Sequence, residues 1–130
     1  MPRKLGIKSG ARVALIAAPT GFAAVLEPLP QGVRLLVAAR GRNDVILFFA
    51  TRRNELSKRF VKLANALETD GGLWIAWPKR TARVATDLSE NLVREIGLGC
   101  GLVDNKVCAV DDTWSGLRFV YRVDDRAARP

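Results

Sequence analysis

Histidine is missing from all 130 residues. Without an imidazole no Ser-His-Asp or Cys-His pair can form, and no His-containing metal site can exist. Cysteine is nearly missing too, with Cys100 and Cys108 alone. They do not make a CxxC pair, so a structural zinc is not expected, and no metal site is assigned. In a chain without an export signal two such residues read as reduced core thiols rather than a disulfide. Apolar runs are short, far from the ~20 residues that span a bilayer. The start, MPRKLGIKSG, has no long apolar core of a signal peptide, so a cytoplasmic protein is the expectation. A phosphate loop is lacking as well: VALIAAPTGF, Val13 to Phe22, has one glycine and no lysine after it.

What the chain does contain is ordinary globular material, 48% hydrophobic and 26% charged. Its length suits one domain that hides roughly two thirds of its unfolded surface. The charge is uneven. Residues 1–62 hold 12 of the 21 Lys and Arg but only three of the 13 acids, Glu27, Asp44 and Glu55, while the rest of the chain is nearly balanced. A basic half steers anions or nucleic acid by long-range potential, or serves only for solubility. No basic run exceeds two residues, which favours solubility.

The periods along the chain change in a regular way. Arg12 to Ala18 (RVALIAA) reads as a first buried strand, and Pro19-Thr20-Gly21 turns into a short helix stopped by Pro28 and Pro30. Val33 to Ala38 makes a second strand. Val45 to Ala50 makes a third, with no polar alternation, as in a strand covered on both faces. Thr51 is placed to cap a helix whose stripe is Leu56, Phe60, Leu63 and Leu67. Gly71-Gly72 reads as a tight turn into a fourth strand, Leu73 to Trp77, which Pro78 ends. In TDLSENLVREIG, Thr86 or Asp87 is the expected N-cap, Asp87 and Glu90 have capping-box spacing, and Gly97 is the expected C-terminal cap. A hairpin around Asp111-Asp112 should pair Val107–Val110 with Leu117–Tyr121, with Cys108 inside. Residues 124–130 should be a flexible tail after a single α/β domain, residues 1–123.

This alternation predicts a shortened doubly wound, mostly parallel Rossmann-like sheet closed by a C-terminal antiparallel hairpin. The expected order is second, first, third, fourth strand, then the hairpin. The crossover DVILFFA to GGLWIAWPK resembles the later half of a class I methyltransferase domain. At the place of that family's glycine-rich cofactor loop stands VALIAAPTGF, and where it puts a ribose-binding acid stand Ala38, Ala39 and Arg40. KLGIKSGARVAL, GGLWIAWPK and GLVDNKVCAVDDTWSGLRFVYR together are similar to a family of short bacterial proteins known as a domain of unknown function. That resemblance covers Lys4 to about Arg122. It implies one methyltransferase-like domain and carries over no activity, cofactor or catalytic residue.

Open α/β sheets bind ligands outside the carboxyl ends of their strands. The residues expected there are Thr20 and Gly21 after the first strand, and Arg52 and Arg53 after the third. Trp77, Lys79 and Arg80 follow the fourth, and Asp112 and Trp114 belong to the hairpin. Lys79 is an anion contact or, if desolvated, a nucleophile of lowered pKa, or else a solvated loop residue, and Trp114 is either a stacking platform or an apolar anchor. Asp104 and Asp112 are candidate acid/base groups if their environments differ. The composition leans toward binding rather than catalysis. The leading reading is a non-catalytic or cryptic domain that binds an anionic small molecule or a protein partner at the strand ends. The alternatives are a divergent transferase with altered cofactor contacts, and nucleic-acid binding through the basic half.

Overall fold

The structure, a computed structural model, describes residues 2–129; Met1 and Pro130, the ends of the expected domain and tail, lie outside the described residues. Its strands are β1 (Arg12–Ile16), β2 (Arg34–Leu36), β3 (Asn43–Phe49), β4 (Leu67–Pro78), β5 (Leu102–Ala109) and β6 (Trp114–Tyr121). The helices are α1 (Phe22–Val25), α2 (Arg53–Asn65), α3 (Glu90–Gly99) and α4 (Val123–Arg126). One sheet carries the order β2-β1-β3-β4-β6-β5. The first four strands run parallel, and β6 lies antiparallel to both β4 and β5. The expected order and the closing hairpin are therefore observed. No helix among the described residues is long and apolar enough to cross a membrane.

The apolar run of β3 is explained by its two covered faces. Ile46 and Phe48 join a core with Leu56, Phe60 and Leu63 of α2 and Val93 of α3. Val45, Leu47 and Phe49 face the other way, onto Leu5, Ile7 and Phe22. Alternate residues of one strand thus serve two cores, and neither side is free to be polar. Each such side chain contributes roughly 1.5–3 kcal/mol of burial. Trp74 ties the chain start to the second core, its Nε1 donating to the Leu5 carbonyl at 3.0 Å.

Several local expectations are corrected. Gly71-Gly72 is no turn: both lie inside β4, in a bulge where β3 steps from Asn43 to Val45 while β4 steps from Leu67 to Gly72. The reason for glycine is close approach. A Cβ on Gly71 would meet the Asp44 carbonyl at 2.7 Å, and one on Gly72 the Arg118 guanidinium, with Cζ at 2.6 Å. Leu67 accordingly opens β4 rather than continuing the helical stripe. Gly97 does not end α3; it sits buried in it against the Phe119 ring. The cap of α3 is Ser89, whose Oγ accepts from Leu92 N–H at 3.2 Å, and α2 starts after Arg52 without a side-chain cap of its own.

The hairpin is also shifted. Val107 pairs with Leu117, Cys108 with Gly116 and Ala109 with Ser115, so the strands pair outward from the turn at once and Arg118–Tyr121 face Leu102–Lys106. Cys108 is only partly buried. Of the residues expected as a tail, Asp124 to Arg126 belong to the helical turn α4, and the Arg129 guanidinium lies 4.0 Å over the Tyr121 ring while donating to the Leu67 carbonyl at 2.7 Å.

Candidate functional site

A cavity of about 790 Å³ opens where β4 ends. Trp77, nearly buried, forms its floor, and Lys79 and Arg80 form one wall. Thr86, Asp87 and the start of α3 at Ser89 and Glu90 form the other, with Ser115 of β6 at the side. Pro78 ends the ladder of β4, and Lys79 N–H donates to the Thr113 carbonyl at 2.8 Å, so the chain leaves the sheet at a fixed angle.

The far wall is fastened to α2. Thr86 Oγ donates to the Thr51 carbonyl at 2.6 Å and accepts from Leu88 N–H at 3.1 Å. Asp87 Oδ1 accepts from Arg53 N–H at 2.7 Å, giving α2 the acceptor its own sequence does not supply. Thr86 and Asp87 therefore brace the first turn of α2, not α3. Beside them Glu90 pairs with Arg94 at 2.9 Å, and Arg94 also binds Asp104 at 3.0 Å. Those two hydrogen bonds, to Glu90 first and Asp104 second, hold the Arg94 guanidinium charged beyond its ordinary range.

The charges of the cavity are thus unequal in what they touch. Each carboxylate has a partner, Asp87 a backbone N–H and Glu90 a guanidinium. Among the described residues the ion pairs within 4.0 Å are the two of Arg94, so Lys79 and Arg80 have none.

Trp77, Lys79 and Arg80 are the expected site residues that line this cavity. Arg52 and Arg53 are exposed at the start of α2, with only the backbone of Arg53 reaching the wall, and Thr20 and Gly21 are exposed before the four-residue α1. Asp112 is exposed at the hairpin turn, where Asp111, not Asp112, accepts from Thr113 and Trp114 N–H, both at 2.8 Å. Asp104 lies too far along β5 to act with Asp112. Ala109 lies five residue steps further on, roughly 16 Å of strand, before the turn begins. Missed by the sequence reading were Thr86, Asp87, Ser89 and Ser115. The TDLS segment was visible, but as a local cap.

The carboxyl end of β1 is closed by rings. Phe22 packs edge-on against Phe49 at 4.8 Å, and Phe49 against Trp114 at 5.0 Å, a line of aromatics from the β1 loop past the end of β3 to the hairpin. Trp114 is thus an apolar anchor. Ala17, just after β1, holds φ at 56°, a conformation that suits glycine better. After β2 come exposed Ala38 and Arg40, and the Arg40 carbonyl accepts from Arg12 Nη2 at 2.8 Å. No carboxylate stands there for a ribose. These residues do not fit the cofactor contacts of a class I methyltransferase.

A second groove, about 430 Å³, runs between residues 37–40 and α2, lined by Arg40, Lys58, Arg59 and Lys62 beside Val37, which is 89% exposed. None of these four cations is ion-paired among the described residues. Arg59 lies 4.9 Å from the Phe48 ring centre.

No family model matches the chain, and no curated protein matches it. Solved structures do. An S-adenosylmethionine-dependent methyltransferase from Aquifex aeolicus superposes with a TM-score of 0.62 at 16% identity, over 90% of this chain and 85% of that one. The magnesium protoporphyrin IX methyltransferase from Synechocystis PCC 6803 gives 0.59 at 12% identity, over 88% and 75%. The mitomycin 7-O-methyltransferase MmcR gives 0.67 at 14% identity, over 88% of this chain but 50% of that one. At such identities the likeness concerns the fold, and the fold is that of the class I, Rossmann-like methyltransferases.

Proposed function

We propose that this chain is a methyltransferase-shaped binding domain that holds an anionic small molecule in the cavity at the end of β4. The observation that supports it most is the imbalance of partners: Asp87 and Glu90 are engaged, whereas Lys79 and Arg80 are not. An anion entering there meets two uncompensated cations above an apolar floor, and Arg80 offers a planar fork suited to phosphate or carboxylate. In this reading the domain groups with the short bacterial family that its motifs resemble, works in the cytoplasm, and has given up the usual cofactor. Calorimetric titration with inorganic pyrophosphate tests it. Binding should saturate, and K79A/R80A should weaken it about tenfold or more, since a hydrogen bond to a charged group is worth about 1.5–3 kcal/mol. Unchanged binding in the double variant refutes the reading.

A divergent transferase is the second reading, favoured by the fold alone. Heat or a thermal shift with S-adenosylmethionine supports it; silence at millimolar ligand removes it. The groove of Arg40, Lys58, Arg59 and Lys62 favours a third, contact with nucleic-acid phosphates.

A further inference from the structure

At the opposite, amino edge of the sheet lies a polar hollow of about 380 Å³, between residues 6–11 and strands β3, β4 and β6. Two cations, Lys8 and Arg118, and two carboxylates, Asp44 and Asp70, line it together with Ser9. Among the described residues none of the four comes within 4.0 Å of an opposite charge, although they share one small space. Arg118 and Asp44 are partly buried, and Lys8 and Asp70 are exposed at the mouth.

The strands build this arrangement. Gly72 leaves the bed on which the Arg118 guanidinium lies, where a Cβ would come within 2.7 Å of Nη2. Gly71 admits the bulge that carries Asp70 to the mouth. Arg118 is half-buried, yet among the described residues its one side-chain hydrogen bond is Nη1 to Asn105 Oδ1 at 3.4 Å, a long one. Burial first and then the neighbouring Arg126 pull its pKa below the ordinary arginine value. Across the hollow Asp44 Oδ2 accepts from Arg12 N–H at 2.8 Å, and its Oδ1 has no partner among the described residues.

A simple anion would answer Arg118 and Lys8 but meet two carboxylates; a simple cation would do the reverse. A molecule with both signs a few ångströms apart answers all four. We propose that the hollow binds a small zwitterion of the α-amino acid class, its carboxylate on Arg118 and Lys8 and its ammonium on Asp44 and Asp70. The volume suits a ligand of that size. The site is separate from the cavity at Lys79, so either can fail without the other.

Nuclear magnetic resonance titration of the nitrogen-labelled full chain with glycine, acetate and ethylammonium, at constant ionic strength, tests it. Glycine should move the amides of Lys8 to Ala11 and of Gly71, and should bind about tenfold tighter than either half-ligand. Arg118→Gln should weaken glycine about ten- to a hundredfold. Asp70→Asn, a surface change that the fold tolerates, should weaken glycine but leave acetate unaltered or tighter. Acetate binding as tightly as glycine, an Asp70→Asn variant that binds glycine unchanged, or no amide shift at tens of millimolar glycine each overturns the proposal.

Discussion

Two glycines two residues apart in α3 should respond to alanine in opposite directions. In an open helix the exchange gains about 1 kcal/mol of propensity. At Gly97 the new methyl would enter the Phe119 ring, with Cζ at 2.5 Å and Cδ1 at 2.6 Å. Phe119 is fully buried and packs edge-on against Phe60 at 5.2 Å, so the ring has nowhere to retreat. Overpacking of a filled core costs about 1–3 kcal/mol, occasionally more. An overlap this deep belongs at the upper end, and Gly97→Ala should lose about 2 kcal/mol net, or roughly 6–12 °C in Tm for a domain of this size. At Gly99 a methyl meets nothing within 4 Å. There the substitution should stabilise by about 0.4–1 kcal/mol through the unfolded chain. Urea unfolding followed by tryptophan fluorescence measures both. Adding Phe119→Leu to Gly97→Ala should cost less than the two single losses together, because the methyl then occupies space the ring has vacated. A Gly97→Ala protein as stable as the parent, or more so, would refute the packing argument.

Burial raises the thiol pKa of both Cys100 and Cys108 above the ordinary 9.0, and Lys4 and Lys106 offset part of the rise at Cys108. The folded chain therefore keeps these protons to higher pH than the unfolded chain. Their contribution is complete below the ordinary value and disappears as pH climbs through the folded ones, so the urea midpoint should fall above about pH 9 and fall less in Cys108→Ala. A midpoint that rises over that range contradicts the assignment. If the groove at α2 takes single-stranded nucleic acid through Arg40, Lys58, Arg59 and Lys62, log K should fall against log salt with a slope of about −3. Lys62→Ala should then reduce that slope by about 0.7 in fluorescence anisotropy. Absence of binding even at low salt removes the groove from consideration.

The sheet was readable because its signals are local and repeated. Val45 to Phe49 could serve only a strand covered twice, and Leu56, Phe60 and Leu63 only a helix with one face inward. Glycine misled twice, because its local meaning is a turn or a cap while its use here is room: for Asp44 and Arg118 at positions 71 and 72, and for Phe119 at 97. Polar caps misled for a related reason. Asp87 looks like the cap of the helix it precedes, yet its carboxylate serves Arg53, 34 residues earlier. The site was legible only along β4, which delivers Trp77, Lys79 and Arg80 directly. Where the loops after β1 and β3 should have left a crevice, Phe22, Phe49 and Trp114 fill it. Nothing in the spacing of three aromatics announces that they will meet.

The place of β6 bears on when the two candidate sites can be complete. In synthesis β5 is finished before β6, yet its one neighbour in the sheet is β6, so it must wait unpaired for the strand that follows. The same strand brings Ser115 to the cavity at one edge and Arg118 to the hollow at the other. A nascent chain that has reached only the end of α3 contains the sequence of the parallel strands and of α2 and α3, but it still lacks Ser115 at the cavity and Arg118 at the hollow. Both candidate sites and the sheet are completed by the same late element, the eight residues of β6 that lie between β4 and β5.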